Sequence, residues 1–77
     1  MTPIQLEVYD YIRETIRDND ISPTYNEIHR LCGLSSVSQA YKIVDSLIKK
    51  GYLKKEGHGN RQLLLTDFFE DKEYGEI

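Results

Sequence analysis

The sequence predicts a mainly α fold, three helices followed by a small β-hairpin, and three observations lead to it. Thr2, Thr24 and Ser36 each stand three residues ahead of a Gln or Glu and open an apolar periodic run, the pattern of a helix start. Only Gly33-Leu34-Ser35 separates the second run from the third. After Gly51, two short segments of strand composition flank a tip that contains Gly57 and Gly59.

The first helix opens at Thr2-Pro3-Ile4-Gln5, with Pro3 where its missing N–H costs nothing. Ile4, Val8, Ile12 and Ile16 recur every four residues and predict the inward stripe, flanked by Tyr9 and Tyr11. The helix is expected to stop near Asn19, because Ser22-Pro23 requires an extended residue before the proline. In the second helix Ile28, Leu31 and Cys32 predict one apolar face of about two turns, closed by Gly33 in a left-handed conformation. In the third, Val37, Ala40, Val44 and Leu47 predict the buried face, with Ile43 and Ile48 at its margins and a stop at Gly51.

A glycine-containing turn this short makes the second and third helices cross steeply, with Leu34 in the corner. Residues 52–55 and 61–65 are expected to pair as strands around a tip at 56–60. The expected fold class is a three-helix winged helix-turn-helix over residues 1–66, followed by an acidic, aromatic tail over 67–77.

Composition narrows the function. Seventy-seven residues, 39% hydrophobic and 30% charged, suit one small globular domain and leave no room for a second, catalytic one. No run approaches the roughly 18 apolar residues of a membrane span, and no secretory signal opens the chain, so a cytoplasmic protein without membrane contact is expected. The single Cys32 has no Cys or His companions at zinc spacing and is expected to be a core thiol. His29 and His58 fit neither a metal site nor a triad. No enzyme activity, metal or cofactor is expected.

The net charge of −3 argues at first against a polyanionic partner, but the charge is segregated. Residues 1–35 carry −3, residues 36–66 carry +4 and residues 67–77 carry −4. Only the middle segment is suited to phosphate. Opposite the apolar face of the third helix, helical spacing gathers Ser38, Tyr41, Lys42, Asp45 and Lys49. Lys49, Lys50, Lys54, Lys55 and Arg61 are candidates for phosphate contacts, the alternative being a solvated basic face. Ser36 either caps its helix alone or also presents the helix start to a phosphate.

Thr2-x-x-Gln5-x-Glu7-Val8-x-Asp10-x-Ile12-Arg13, Ser22-Pro23-Thr24-x-x-Glu27-Ile28, Gly33-Leu34-x-Ser36 and Lys50-Gly51-Tyr52-Leu53 occur in that order. Together they resemble the DNA-binding domain of the LexA-type SOS repressors, over roughly residues 2 to 65. The resemblance implies a winged fold whose third helix enters the major groove of double-stranded DNA, in proteins that repress transcription as dimers on palindromic operators. It also implies that Ser38, Gln39, Tyr41 and Lys42 occupy the base-contacting positions. Their residue types look unlike those of the bacterial repressors, which implies a different operator. Chemically, Gln39 suits adenine, Lys42 the acceptors of guanine, and Ser38 either. Gln39 can instead be committed to its own helix start, and Tyr41 can meet a phosphate, meet a thymine methyl, or pack. The family's self-cleaving C-terminal domain, with its Ser/Lys pair and dimer contacts, has no counterpart after Leu65, so neither property is carried over.

The expected function is therefore a sequence-specific DNA-binding regulator, a repressor by resemblance. A homodimer is expected because one module buries too little surface on DNA for high specificity. Small size suggests a phage or mobile-element origin. The competing expectation is a protein-interaction module that keeps the winged fold as a scaffold for a repressor or polymerase component. The tail is expected to seal the core with Phe68 and Phe69, to form a dimer or partner contact, or to lie against the basic segment.

Overall fold

The computed structural model describes residues 1–57 and 61–66. The elements run α1 (Pro3–Asn19), α2 (Tyr25–Leu31), α3 (Val37–Lys49), β1 (Leu53–Lys55) and β2 (Leu63–Leu65). The strands pair antiparallel, with Leu53 opposite Leu65, Lys54 opposite Leu64 and Lys55 opposite Leu63. This is the mainly helical, winged helix-turn-helix architecture expected from the sequence. The tip residues 58–60 and the tail 67–77, with the expectations attached to His58, Gly59, Phe68 and Phe69, lie outside the described residues.

Two of the three helix starts are complete capping boxes. The Thr2 hydroxyl accepts from the Gln5 N–H at 3.2 Å while the Thr2 N–H donates to Gln5 Oε1 at 3.1 Å. At α2, Thr24 and Glu27 make the same exchange at 3.1 and 2.8 Å. Each box satisfies donors that a helix start otherwise leaves without acceptors.

Helices α2 and α3 end on glycines that the geometry requires. Gly33 has φ +67° and Gly51 φ +89°. At the end of α3 the Tyr52 N–H donates to the Leu47 carbonyl and the Gly51 N–H to that of Ile48, both at 3.0 Å. That pair of bonds is the Schellman closure, which a left-handed residue makes. At α2 the Leu34 N–H reaches the His29 carbonyl at 3.0 Å and its side chain is buried in the corner. A Cβ on Gly51 would meet open space, so the penalty there is one of backbone conformation alone. Gly51→Ala is expected to destabilise the domain by about 1–2 kcal/mol, read from denaturant midpoints at constant m-value.

The core forms where α1, α2, α3 and the wing meet. It holds Val8, Tyr9 and Ile12 of α1, Tyr25 and Ile28 of α2, Ala40, Ile43, Val44 and Leu47 of α3, and Leu34, Leu53 and Leu63. Ile4 and Ile16 are only partly buried. A four-residue step overshoots one helical turn by about 40°, so a stripe spaced every four residues winds away from the core at both ends. Its centre falls on Val8, Tyr9 and Ile12, which moves Tyr9 from the flank to full burial.

Two expected core positions face outward. Leu31 is 67% exposed because Tyr25, Ile28 and Cys32, spaced i, i+3, i+7, form the inward edge of α2 and place Leu31 about 90° round the helix. Val37 is 37% exposed at the first position of α3, and Ile43, expected at the margin, is buried instead. Cys32 is half-buried against the core, where desolvation pushes its thiol pKa up, an environment that disfavours the reactive thiolate.

A clasp holds the wing to the start of α2. Arg61 donates from Nη1 and Nη2 to Glu27 Oε1 and Oε2, both at 3.1 Å, and from Nη1 to the Ser22 carbonyl at 2.8 Å. The buried Ser22 hydroxyl accepts the Leu63 N–H at 3.2 Å beside it. The Thr24 N–H, and after it the Arg61 guanidinium, holds the Glu27 carboxyl below the usual carboxylate range. A group lowered in this way stabilises the fold above its unfolded pKa, about 4.3 for glutamate, and the benefit disappears as pH falls through the folded value. Glu27→Gln is expected to melt below the parent near about pH 6 and to lose that difference as pH falls through the folded pKa of Glu27. Circular dichroism melts check this, and a gap that widens on acidification would contradict it.

Candidate nucleic-acid interface

Burial of Ala40, Ile43, Val44 and Leu47 leaves Ser38, Tyr41, Lys42, Asp45 and Lys49 exposed along one flank of α3. Lys49 Nζ pairs with Asp45 Oδ2 at 3.0 Å one turn away, so the acid in the middle of this flank is already offset. Lys42 makes no hydrogen bond or ion pair with other described residues. Lys54 and Lys55 are exposed on β1, the first wing strand.

The flank and the wing meet in a recess of about 300 Å³ lined by Tyr25, Tyr41, Lys42, Asp45 and Lys55. The Tyr41 ring stacks on Tyr25 at 4.0 Å between centroids and 19° between planes. Lys55 Nζ lies 5.6 Å from the centre of the same Tyr25 ring, within cation–π range. An aromatic pair and two ammonium groups thus occupy one site between α3 and the wing.

The other sequence-selected residues are placed differently. Ser36 caps α3, its hydroxyl accepting the Gln39 N–H at 3.2 Å. The Gln39 side chain does not complete the expected box. Its Oε1 accepts from both the N–H and the hydroxyl of Ser35, each at 2.9 Å. A carbonyl oxygen has two lone pairs, so Gln39 keeps only amide donors for a ligand, whereas paired recognition of adenine needs a donor and an acceptor. Lys50 turns away from this flank and donates to Gln5 Oε1 at 2.9 Å, and Gln5 Nε2 donates to Ser46 Oγ at 3.0 Å. That link joins the start of α1 to the end of α3. Arg61 has the partners of the clasp. Lys42 and Lys55 are therefore brought to one recess with Tyr41, Lys49 extends the flank, and Lys50 and Arg61 carry intramolecular bonds.

Sequence reasoning overlooked Tyr25. Its signal was available in the i, i+3, i+7 spacing of Tyr25, Ile28 and Cys32, directly after the Thr24 cap. The Asp45–Lys49 pair was likewise readable as an i, i+4 couple of opposite charge. Among the described residues no group of three His, Cys, Asp or Glu is placed to hold a metal, and no helix is long and apolar enough to cross a membrane.

A glycine-closed corner, a capped third helix with an exposed polar flank and a basic two-stranded wing define a winged helix-turn-helix protein. The family model for the LexA DNA binding domain matches residues 1–62, and the chain belongs to that family. It is similar to the LexA repressor of Syntrophobacter fumaroxidans, 35% identical over 54 residues that make up 70% of this chain and 26% of that protein. The LexA repressor of Alcanivorax borkumensis is 36% identical over 67 residues, 87% of this chain and 33% of its own length. That of Lactobacillus delbrueckii subsp. bulgaricus is 39% identical over 62 residues, covering 80% and 30%. The chain spans a third or less of these relatives.

Proposed function

We propose that this chain is the DNA-reading module of a transcriptional repressor and lays α3 in the major groove of duplex DNA. The observation that carries the reading is the convergence of Lys42, Lys55 and Tyr41 on one exposed recess, in a fold whose family is defined by DNA binding. Ser38, Tyr41 and Lys42 address base edges, Lys42 donating to the N7 and O6 acceptors of guanine. Gln39 donates through its amide alone, because Ser35 holds its carbonyl.

Ser36, Lys49, Lys54 and Lys55 hold phosphates and fix the register without reading sequence. Lys50 joins them through the two ammonium donors that its bond to Gln5 leaves over. Arg61 serves instead to brace the wing, and its charge is matched by Glu27. Two copies on half-sites about 34 Å apart supply the specificity that a single module lacks, and a duplex-DNA partner implies a cytoplasmic protein.

The test is fluorescence anisotropy on duplexes selected from a random pool, repeated across salt concentrations. Affinity is expected to fall linearly with log salt, with a slope of about −0.9 for each phosphate neutralised. Absence of binding at low salt would reject the reading in favour of a scaffold for protein contacts.

A further inference from the structure

Tyr25 and Tyr41 form a pair with unequal exposure. Tyr41 is 51% exposed on the reader flank, whereas Tyr25 is 8% exposed and belongs to the core cluster. An exposed tyrosine on a helix ordinarily moves among staggered rotamers. Stacking at 4.0 Å and 19° on a ring that is itself held by the core fixes one of them. It also covers one face of Tyr41 and leaves the ring edge for a ligand.

The chemistry of that edge limits what it can read. Apart from its hydroxyl, the ring edge offers only aromatic C–H groups, which neither donate nor accept a strong hydrogen bond, and among base edges in the major groove only thymine presents an apolar group for them, its 5-methyl. Lys42 is the next residue and lines the same recess, so a cation for guanine lies beside the apolar edge for thymine. We propose that Tyr25 is a specificity-determining positioning residue: through its stack it fixes Tyr41 so that the ring edge reads one thymine methyl in the operator. This rests on the reading that α3 enters the major groove. Tyr25 itself touches no base, and its effect on sequence preference passes through Tyr41.

The hydroxyls are not needed for this role. The Tyr25 hydroxyl is buried and has no hydrogen-bond partner among the described residues, so Tyr25→Phe keeps the stack and removes a group that makes no bond to them. Tyr25→Leu keeps apolar volume in the core but cannot stack.

The experiment uses the whole chain and a duplex selected from a random pool, with each thymine replaced in turn by deoxyuridine, which removes the methyl alone. The parent is expected to lose roughly three- to five-fold in affinity at one position in each half-site, the value of one buried methyl. Tyr25→Phe and Tyr41→Phe are expected to keep that sensitivity. Tyr25→Leu and Tyr41→Ala are expected to bind thymine and deoxyuridine duplexes equally; Tyr41→Ala is expected to keep the salt slope, since it leaves the phosphate contacts untouched, whereas Tyr25→Leu also removes the ring beneath Lys55. Tyr41→Ala alters an exposed side chain, so its result stands even if Tyr25→Leu fails to fold.

A selected site without thymine, a parent indifferent to every deoxyuridine, or a folded Tyr25→Leu protein that keeps the methyl preference would each overturn the proposal while leaving DNA binding intact. A parent that binds no duplex at any salt concentration would overturn both readings together.

Discussion

Lys42→Ala combined with Lys54→Ala and Lys55→Ala is expected to lower affinity for the selected duplex by on the order of a hundred-fold or more, with the fold intact. Lys42 supplies base contacts in the proposed complex, a good one being worth about 1–3 kcal/mol. The two wing lysines supply phosphate contacts, so the slope of log affinity against log salt is expected to become shallower by about 1.8. All three side chains are exposed. Among the described residues, the one interaction of these side chains is that of Lys55 over the Tyr25 ring, a contact worth about 0.5–1 kcal/mol, so melting should change little. Anisotropy titrations with parallel melts check both parts. Unchanged affinity and slope would remove the recess as the DNA-binding surface.

Leu47→Ala is expected to have the largest effect on the fold. Leu47 is fully buried in α3 and belongs to the cluster with Val8, Tyr9, Ile12, Val44 and Leu53. Truncating a buried leucine removes its transfer free energy and leaves a cavity, at a cost of about 2–5 kcal/mol. Small domains have only about 5–15 kcal/mol in total. At about 4–8 °C per kcal/mol, Tm is expected to fall by roughly 8–40 °C. Leu31→Gln is the control. The same residue type at a 67% exposed site is expected to change stability by no more than about 0.5 kcal/mol. Equal losses from the two substitutions would contradict the assignment of the core.

The fold was legible because its determinants are local. The Thr2–Gln5 and Thr24–Glu27 boxes, the left-handed Gly33 and the Gly51 closure all lie within a few residues of the sequence signals that announce them. Faces were legible to within a turn. Leu31 and Val37 went outward and Tyr25 and Ile43 inward because the core is set by where three helices and a hairpin meet, and a short helix has several apolar candidates for one narrow edge.

Pairings between distant segments were not legible. Lys50 and Gln5 stand 45 residues apart, and Arg61 and Glu27 stand 34 apart. Nothing in a linear reading distinguishes a lysine with an internal acceptor from one that faces solvent. The candidate surface was therefore legible as a set of basic residues, and folding sorted that set into Lys42 and Lys55 at one recess and Lys50 and Arg61 in internal bonds.

The two left-handed glycines at the ends of α2 and α3 have an evolutionary consequence. Because backbone chirality and the buried Leu34 set the angle of α3, the outward residues at 38, 42 and 49 are spared any part in setting it. Such positions can exchange without cost to the scaffold, and on the proposed reading a lineage would acquire a new target preference by a few surface changes there. Position 41 is the exception: through its aromatic neighbour it remains tied to the interior, so change there is expected to occur together with change at 25.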